Sequence, residues 1–249
     1  RRGPDFGIDL EDLRAALRPE TKAFVITNLH NPSGAYLPPE TLRQIAAELA
    51  RVGAMLIVDE VYRDFARSES SASSADLADN IVAVSSLTKV FGLFTLKAGW
   101  LTAAPDLLEA IRQANPEGDY SVGKLSHAIA ALVVERPAPY EAHWTRILHA
   151  NRPIVAEHAA RLLQAGLIEG AVPPYGCIYF PRIIGWEDTR PLARRLWREA
   201  GVLVAPGQYF GAPGHIRIGF GAADPARIEQ GMSRLAEALF TFGAPEPIA

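Results

Sequence analysis

With 249 residues, 49% of them hydrophobic and 21% charged, and a net charge of −3, the chain can bury a real core in one large or two modest domains, which excludes intrinsic disorder. A slightly acidic protein is not built mainly to neutralise nucleic-acid phosphates, so no nucleic-acid partner is expected, and with no apolar run of membrane-spanning length no membrane is expected either. The single cysteine, Cys177, excludes an intrachain disulfide framework and a cysteine-based zinc site, and the scattered histidines show no ligand spacing, so no metal is expected.

In chain order, residues 9–18 place leucines at helical spacing, with acids early and arginines late as the helix dipole favours. Residues 21–28 form a short apolar, partly β-branched run that reads as a buried strand. Asn31-Pro32-Ser33-Gly34 is a turn, and Pro38-Pro39 then opens a helix that Gly53 closes. A second buried strand over residues 54–58 ends in Asp59-Glu60. Residues 68–80 are polar and serine-rich and read as a surface loop. Residues 81–85 give a third strand and residues 96–103 a fourth. This alternation predicts an α/β fold with a doubly wound, mostly parallel sheet.

The second half changes character. A helix is expected over 121–134 and a long one from about 140 to 165, with Pro153 expected to kink it. A strand near 178–181, a helix near 191–200, short strands near 202–205 and 215–220, and a final helix over 225–242 complete a smaller α+β unit. The expected boundary lies near residue 145, giving a large domain 1–145 and a small C-terminal domain 146–249.

The chemistry gathers where open α/β sheets bind ligands, outside the carboxyl ends of the strands. Asn31 follows the first strand; Asp59 ends the second, with Tyr62 three residues on; the third runs into Ser86-Leu87-Thr88-Lys89, and Lys97 follows a glycine-containing turn. Lys89 supplies an amine for a carbonyl cofactor. Pyridoxal phosphate needs that amine, an acid beside its pyridine nitrogen, donors for its ring oxygen, and cationic and hydroxyl groups for its phosphate, and this set supplies each.

The stretches NPSG, DEVY, SLTK and PGQYFGAPGHIRIGFG, in this order and spacing, resemble the signatures of the class I/II, fold type I, pyridoxal-phosphate aminotransferases, and the resemblance runs from about Phe6 to Phe242. It implies that Lys89 forms the Schiff base with the cofactor and shuttles the proton, that Asp59 pairs with the pyridinium nitrogen, and that Tyr62 and Asn31 hydrogen-bond the ring oxygen. It places Ser86 and Thr88 near the phosphate, with Lys97 where relatives usually carry an arginine on it. It makes Arg217 the clamp on the substrate carboxylate, with Asn31 also near the substrate. An α-amino acid and a 2-oxo acid are the implied substrates, a homodimer the implied assembly, and the cytoplasm the implied location. Three departures stand out: Lys97 for arginine, Thr88 for serine, and Phe94-Thr95 where relatives have small residues.

The resemblance also implies a preceding segment with a strand, a phosphate-cradling loop and an aromatic ring for stacking, and Arg1-Arg2-Gly3-Pro4 reads as the interior of such a longer chain. The same motifs suit other fold type I chemistry, namely C–S lyase, decarboxylase or cyclising enzyme, or a non-catalytic fragment. Glu60 is left unassigned; Tyr179, Tyr209 and Cys177 read as packing residues, and Gly92, Gly99, Gly207 and Gly211 as backbone-geometry residues.

Overall fold

Asp9 starts helix α1 (Leu10–Ala16): its carboxylate accepts the N–H groups of Glu11 and Asp12, two donors a helix start leaves unpaired. Strand β1 (Ala23–Thr27) follows, then helix α2 (Pro39–Ala50), with proline at its first position, where the missing N–H costs nothing. Strands β2 (Met55–Asp59) and β3 (Ile81–Ser86) run parallel to β1, and β4 (Gly99–Thr102) closes the sheet antiparallel to β3, in the order β1-β2-β3-β4. The antiparallel turn has a physical reason: residues 87–98 carry no α-helix to cross back over the sheet, as a parallel partner usually needs. Helices α3 (Pro105–Ala114), unassigned by the sequence reading, and α4 (Lys124–Glu135) come next. The computed structural model describes residues 1, 3, 5–70, 72–115 and 123–242, so the first two residues of the helix expected over 121–134 lie outside the described residues.

The chain divides into two compact units, residues 1–31 with 35–142, and residues 32–34 with 143–249. In the first, α2 presents Leu42, Ile45, Ala46 and Leu49, a helical stripe, to Ile26, Leu56, Val58 and Ile81 of the sheet. Most of these side chains are completely shielded, each leucine, isoleucine or valine among them worth about 1.5–3 kcal/mol of transfer free energy. A second cluster joins Leu87 and Ala98 to Val133 of α4, with Phe91, Leu93 and Leu96 around it.

The serine-rich stretch is not simply a surface loop. Ser74 is buried and begins a 3₁₀ turn, Ser74–Leu77, because its neighbour Glu60 is buried and needs hydrogen-bond donors.

In the second unit, helix α5 (Ala138–Gln164), whose first residues belong to the first unit, runs helical through Pro153. The strands are short: β5 (Ile168–Glu169) pairs with β7 (Arg182–Ile183), while β6 (Ile178–Tyr179), β9 (Ile216–Gly219) and β8 (Ala205–Pro206) form an antiparallel sheet in that order. Helix α6 (Thr189–Arg195) widens into a π turn, Leu196–Ala200, that Gly201 ends, and α7 (Pro225–Phe242) completes the unit. The buried Asn151 of α5 donates its amide to the carbonyls of Phe220 and Ala223, fixing the segment after β9.

Candidate active site

Three adjacent parallel strands with one direction bring the residues that follow them to one edge. Thr27 is in register with Asp59, and Asp59 with Val84, so the ends of β1, β2 and β3 lie side by side. The antiparallel β4 begins at that edge, with Gly99 opposite Ser86. Asn31, Asp59, Tyr62, Ser86, Thr88, Lys89 and Lys97 therefore belong to one end of one sheet, within the first unit.

Asn31 sits on a loop closed by a residue the sequence reading missed. The buried Asn28 donates its amide to the Leu37 carbonyl and accepts the Leu37 N–H, both at 2.9 Å. The amide thus acts as a piece of backbone, closing residues 29–37 into a fixed ring. Inside it, His30 N–H reaches the Ala35 carbonyl, and Asn31 N–H the Thr27 hydroxyl at 3.1 Å. Asn31 Oδ1 is buried and has no hydrogen-bond partner among the described residues. No local pattern distinguishes Asn28 from an ordinary strand-end polar residue.

His30 also shapes the pH response. Burial, and then the positive charge of Arg1, lower its pKa to about 3. A group whose folded pKa lies below its unfolded value near 6.5 stabilises the fold fully above about pH 6.5, and that contribution is lost as pH falls toward 3. Urea midpoints at pH 7 and pH 4 are expected to differ less in His30→Gln than in the parent, and an equal difference would remove His30 from the acid response.

At the end of β2, Asp59 Oδ1 accepts the Val61 N–H at 3.0 Å, and no cation pairs with this half-buried carboxylate among the described residues. Tyr62 is buried and stacks on Phe65, ring centroids 6.1 Å apart at 18°. Between them Glu60, 4% exposed, fixes the turn. Its N–H continues the ladder to the Val84 carbonyl at 2.7 Å, and its carboxylate accepts from Ser73 Oγ, Ser74 N–H and hydroxyl, and Arg63 at 3.2 Å. Arg63, Asp64, Arg67 and Glu141 continue the alternation of charge. Glu60→Ala would leave these donors unmatched, so it is expected to lower unfolding free energy by about 3 kcal/mol in urea titration; a loss within experimental scatter would show the network is dispensable. Its serine donors lie 13 and 14 residues away across an irregular loop, which is why sequence alone left Glu60 unassigned.

After β3, the Ser86 and Thr88 hydroxyls bond each other at 2.6 Å, and Ser86 Oγ accepts the Thr88 N–H. Lys89 is exposed, and its carbonyl accepts the Gly92 N–H. Gly99 is required by close approach: a Cβ there would lie 2.8 Å from the Ser85 carbonyl oxygen. Lys97 is exposed, with φ +51°.

Arg217 belongs to the second unit, on β9 opposite Ala205, with its guanidinium carbon 5.6 Å from the Phe210 ring centroid. It lines a cleft of about 620 Å³ with Arg190, Arg194, Trp197 and Tyr209. Asp188 takes Arg190 in a two-point ion pair, whereas Arg217 has no ion-pair partner among the described residues. Tyr209 is 73% exposed at this cleft, correcting the expectation of a packing residue: it lies on the turn before Gly211, outside the core. Tyr179 does pack, buried, with its hydroxyl donating to the Gly170 carbonyl and its pKa raised by burial. Among the described residues no cluster of histidine, cysteine and acidic side chains could hold a metal, and no helix is long and apolar enough to cross a membrane.

Residues 1–235 match the family described as aminotransferase class I and II. The chain belongs to the class I and II aminotransferases. It is similar to capreomycidine synthase of Streptomyces vinaceus, 34% identical over 239 residues that cover 95% of this chain and 60% of that protein. It is also similar to a probable N-succinyldiaminopimelate aminotransferase of Mycobacterium tuberculosis, 29% identical over 85% of this chain and 54% of that one. Among solved structures, a PLP-dependent aminotransferase from Streptococcus suis superposes with a TM-score of 0.78 at 29% identity, over 97% of this chain and 63% of that one. The aspartate aminotransferase of Thermotoga maritima, at 21% identity and a TM-score of 0.81, shares the fold. The chain thus spans about 60% of the length of these relatives.

The aminotransferase family is pyridoxal-phosphate-dependent, and the residues present fit that group. Asp59 is a half-buried carboxylate without a cation, as a pyridinium nitrogen requires. Asn31 carries a buried amide end without a partner; which end is oxygen is an assignment, so the same group can present N–H to a ring oxygen. Two hydroxyls and two lysines stand at the same sheet end.

Proposed function

We propose that the protein is a pyridoxal-phosphate-dependent aminotransferase that moves an amino group between an α-amino acid and a 2-oxo acid. The observation that carries this is the joining of an amine, an uncompensated carboxylate, a phenol and an unpartnered amide at the ends of three adjacent parallel strands. Bound pyridoxal phosphate would supply an aldehyde and an electron-accepting ring. The side chains do the rest. Lys89 provides the amine and takes the proton from substrate Cα. Asp59 keeps a positive charge at the ring nitrogen, and Tyr62 and Asn31 donate to the ring oxygen. Ser86, Thr88 and Lys97 hold the phosphate. Arg217 orients the substrate carboxylate through its planar fork, with Asn31 nearby. The functional division proposed with these roles runs near residue 145, cofactor residues before it and the carboxylate arginine after it. A homodimer in the cytoplasm belongs to the same proposal, supported by the family resemblance.

Mixing the protein with single amino acids and following conversion of the cofactor to its pyridoxamine form tests this directly. Conversion with at least one amino acid is expected. Its absence with all of them would overturn transamination. A second reading, other pyridoxal-phosphate chemistry with the same residues, has one observation in its favour: a relative sharing 34% identity is named a synthase, not an aminotransferase.

A further inference from the structure

Two of the chain's departures from the family pattern meet in space. Lys97 stands where relatives usually carry an arginine, and Phe94 where they carry a small residue; the Lys97 ammonium lies 3.7 Å from the centre of the Phe94 ring. The loop between Lys89 and Lys97 is otherwise anchored by its own core. Leu87 N–H reaches the Ala98 carbonyl at 3.1 Å, Leu93 N–H reaches the Leu87 carbonyl at 3.0 Å, and Phe91, Leu93 and Leu96 pack on Leu87 and Ala98. Phe94 is left out of that cluster, 59% exposed, so burial does not account for it. Lys97 ends the 3₁₀ turn Phe94–Leu96 in the left-handed region, which a side chain with a Cβ enters only when its surroundings hold it there. That backbone turn carries the ammonium back over the ring three residues earlier.

We infer that Phe94 is a positioning residue for Lys97, restraining its ammonium so that a lysine can serve as the phosphate cation in place of an arginine. An arginine brings a rigid planar fork, whereas a lysine is a point charge on a flexible stem and loses more freedom when it engages one anion. An aromatic face attracts the ammonium and narrows its rotamers before the anion arrives. The two unusual residues form one device, and neither is expected to work as well alone. This rests on the cofactor reading proposed above.

A double-mutant cycle on pyridoxal phosphate binding tests it, with dissociation constants taken from titration of the visible absorbance of the cofactor-free protein. Phe94→Leu is expected to weaken binding roughly three- to fivefold, the scale of one exposed cation–π contact, and Phe94→Trp to restore it. In a Lys97→Met background the same Phe94→Leu change is expected to have almost no effect. NMR of the protein without cofactor gives an independent readout: the Lys97 side-chain methylene protons should be shifted upfield by the ring, and Phe94→Leu should abolish the shift. The same loss of binding in both backgrounds, or no ring-induced shift, would overturn the inference while leaving the cofactor reading intact. A folded parent protein that binds no pyridoxal phosphate would overturn the cofactor reading and this inference with it.

Discussion

Replacing Lys89 by alanine is expected to abolish turnover, by more than about 10⁴-fold, the upper end of what one general base supplies. Neither Lys97 nor Lys22 can take over. Lys97 lies across the loop on Phe94, and Lys22 precedes β1, at the opposite end of the sheet from Asp59. The fold should not register the change, because Lys89 is exposed and only its backbone carbonyl is used, by Gly92. Thermal unfolding of Lys89→Ala should therefore match the parent while single-turnover rates collapse. Small primary amines added to the mutant should recover part of the proton transfer at substrate Cα. Near-normal activity in Lys89→Ala would remove it from the chemistry altogether.

Asp59→Ala is the second large effect expected, about 3–5 kcal/mol in the transition state, a loss on the order of 10²–10⁴ in kcat/KM. The carboxylate ends β2 beside Thr27 and Val84 and uses one oxygen to accept the Val61 N–H. Its loss from the fold should cost only about 1 kcal/mol, the worth of one hydrogen bond. Asp59→Asn separates charge from geometry. It can still accept the Val61 N–H but cannot hold a cation, so its rate should fall almost as far as that of the alanine variant. Steady-state kinetics on both variants decide the matter, and an Asp59→Asn enzyme at parental rate would show that the charge plays no part.

The elements that put these residues together are those with the clearest local signals. The apolar runs of β1, β2 and β3 are short, β-branched and bounded by turns, and α2 has both a proline start and a helical stripe. Polar side chains sit at or just beyond the end of each strand, so the sheet edge could be read before its topology was known. What escaped reading depends on distant partners. Asn28 is a clamp only because Leu37 returns to it, and Glu60 only because Ser73 and Ser74 do. The two-residue strands of the second unit are too short for a period of two to declare itself, which is why β8 falls at Ala205–Pro206 and not over the expected 202–205. The cation–π contact of Phe94 and Lys97 needed the left-handed turn, which lysine does not advertise.

The loop from Leu87 to Ala98 is held at both ends by backbone, through the Leu87–Ala98 hydrogen bond and through Gly99 lying against the Ser85 carbonyl. For protein engineering this makes the segment an exchangeable cassette. Residues 88–97 from a relative with an arginine in place of Lys97 are expected to graft between those ends with the sheet intact when apolar residues are kept at 90, 91, 93 and 96, since Val90 is buried and Phe91, Leu93 and Leu96 pack on Leu87 and Ala98. A saturation library over residues 88–99, scored for folding, should tolerate wide variation at the exposed Thr95 and almost none at Gly99.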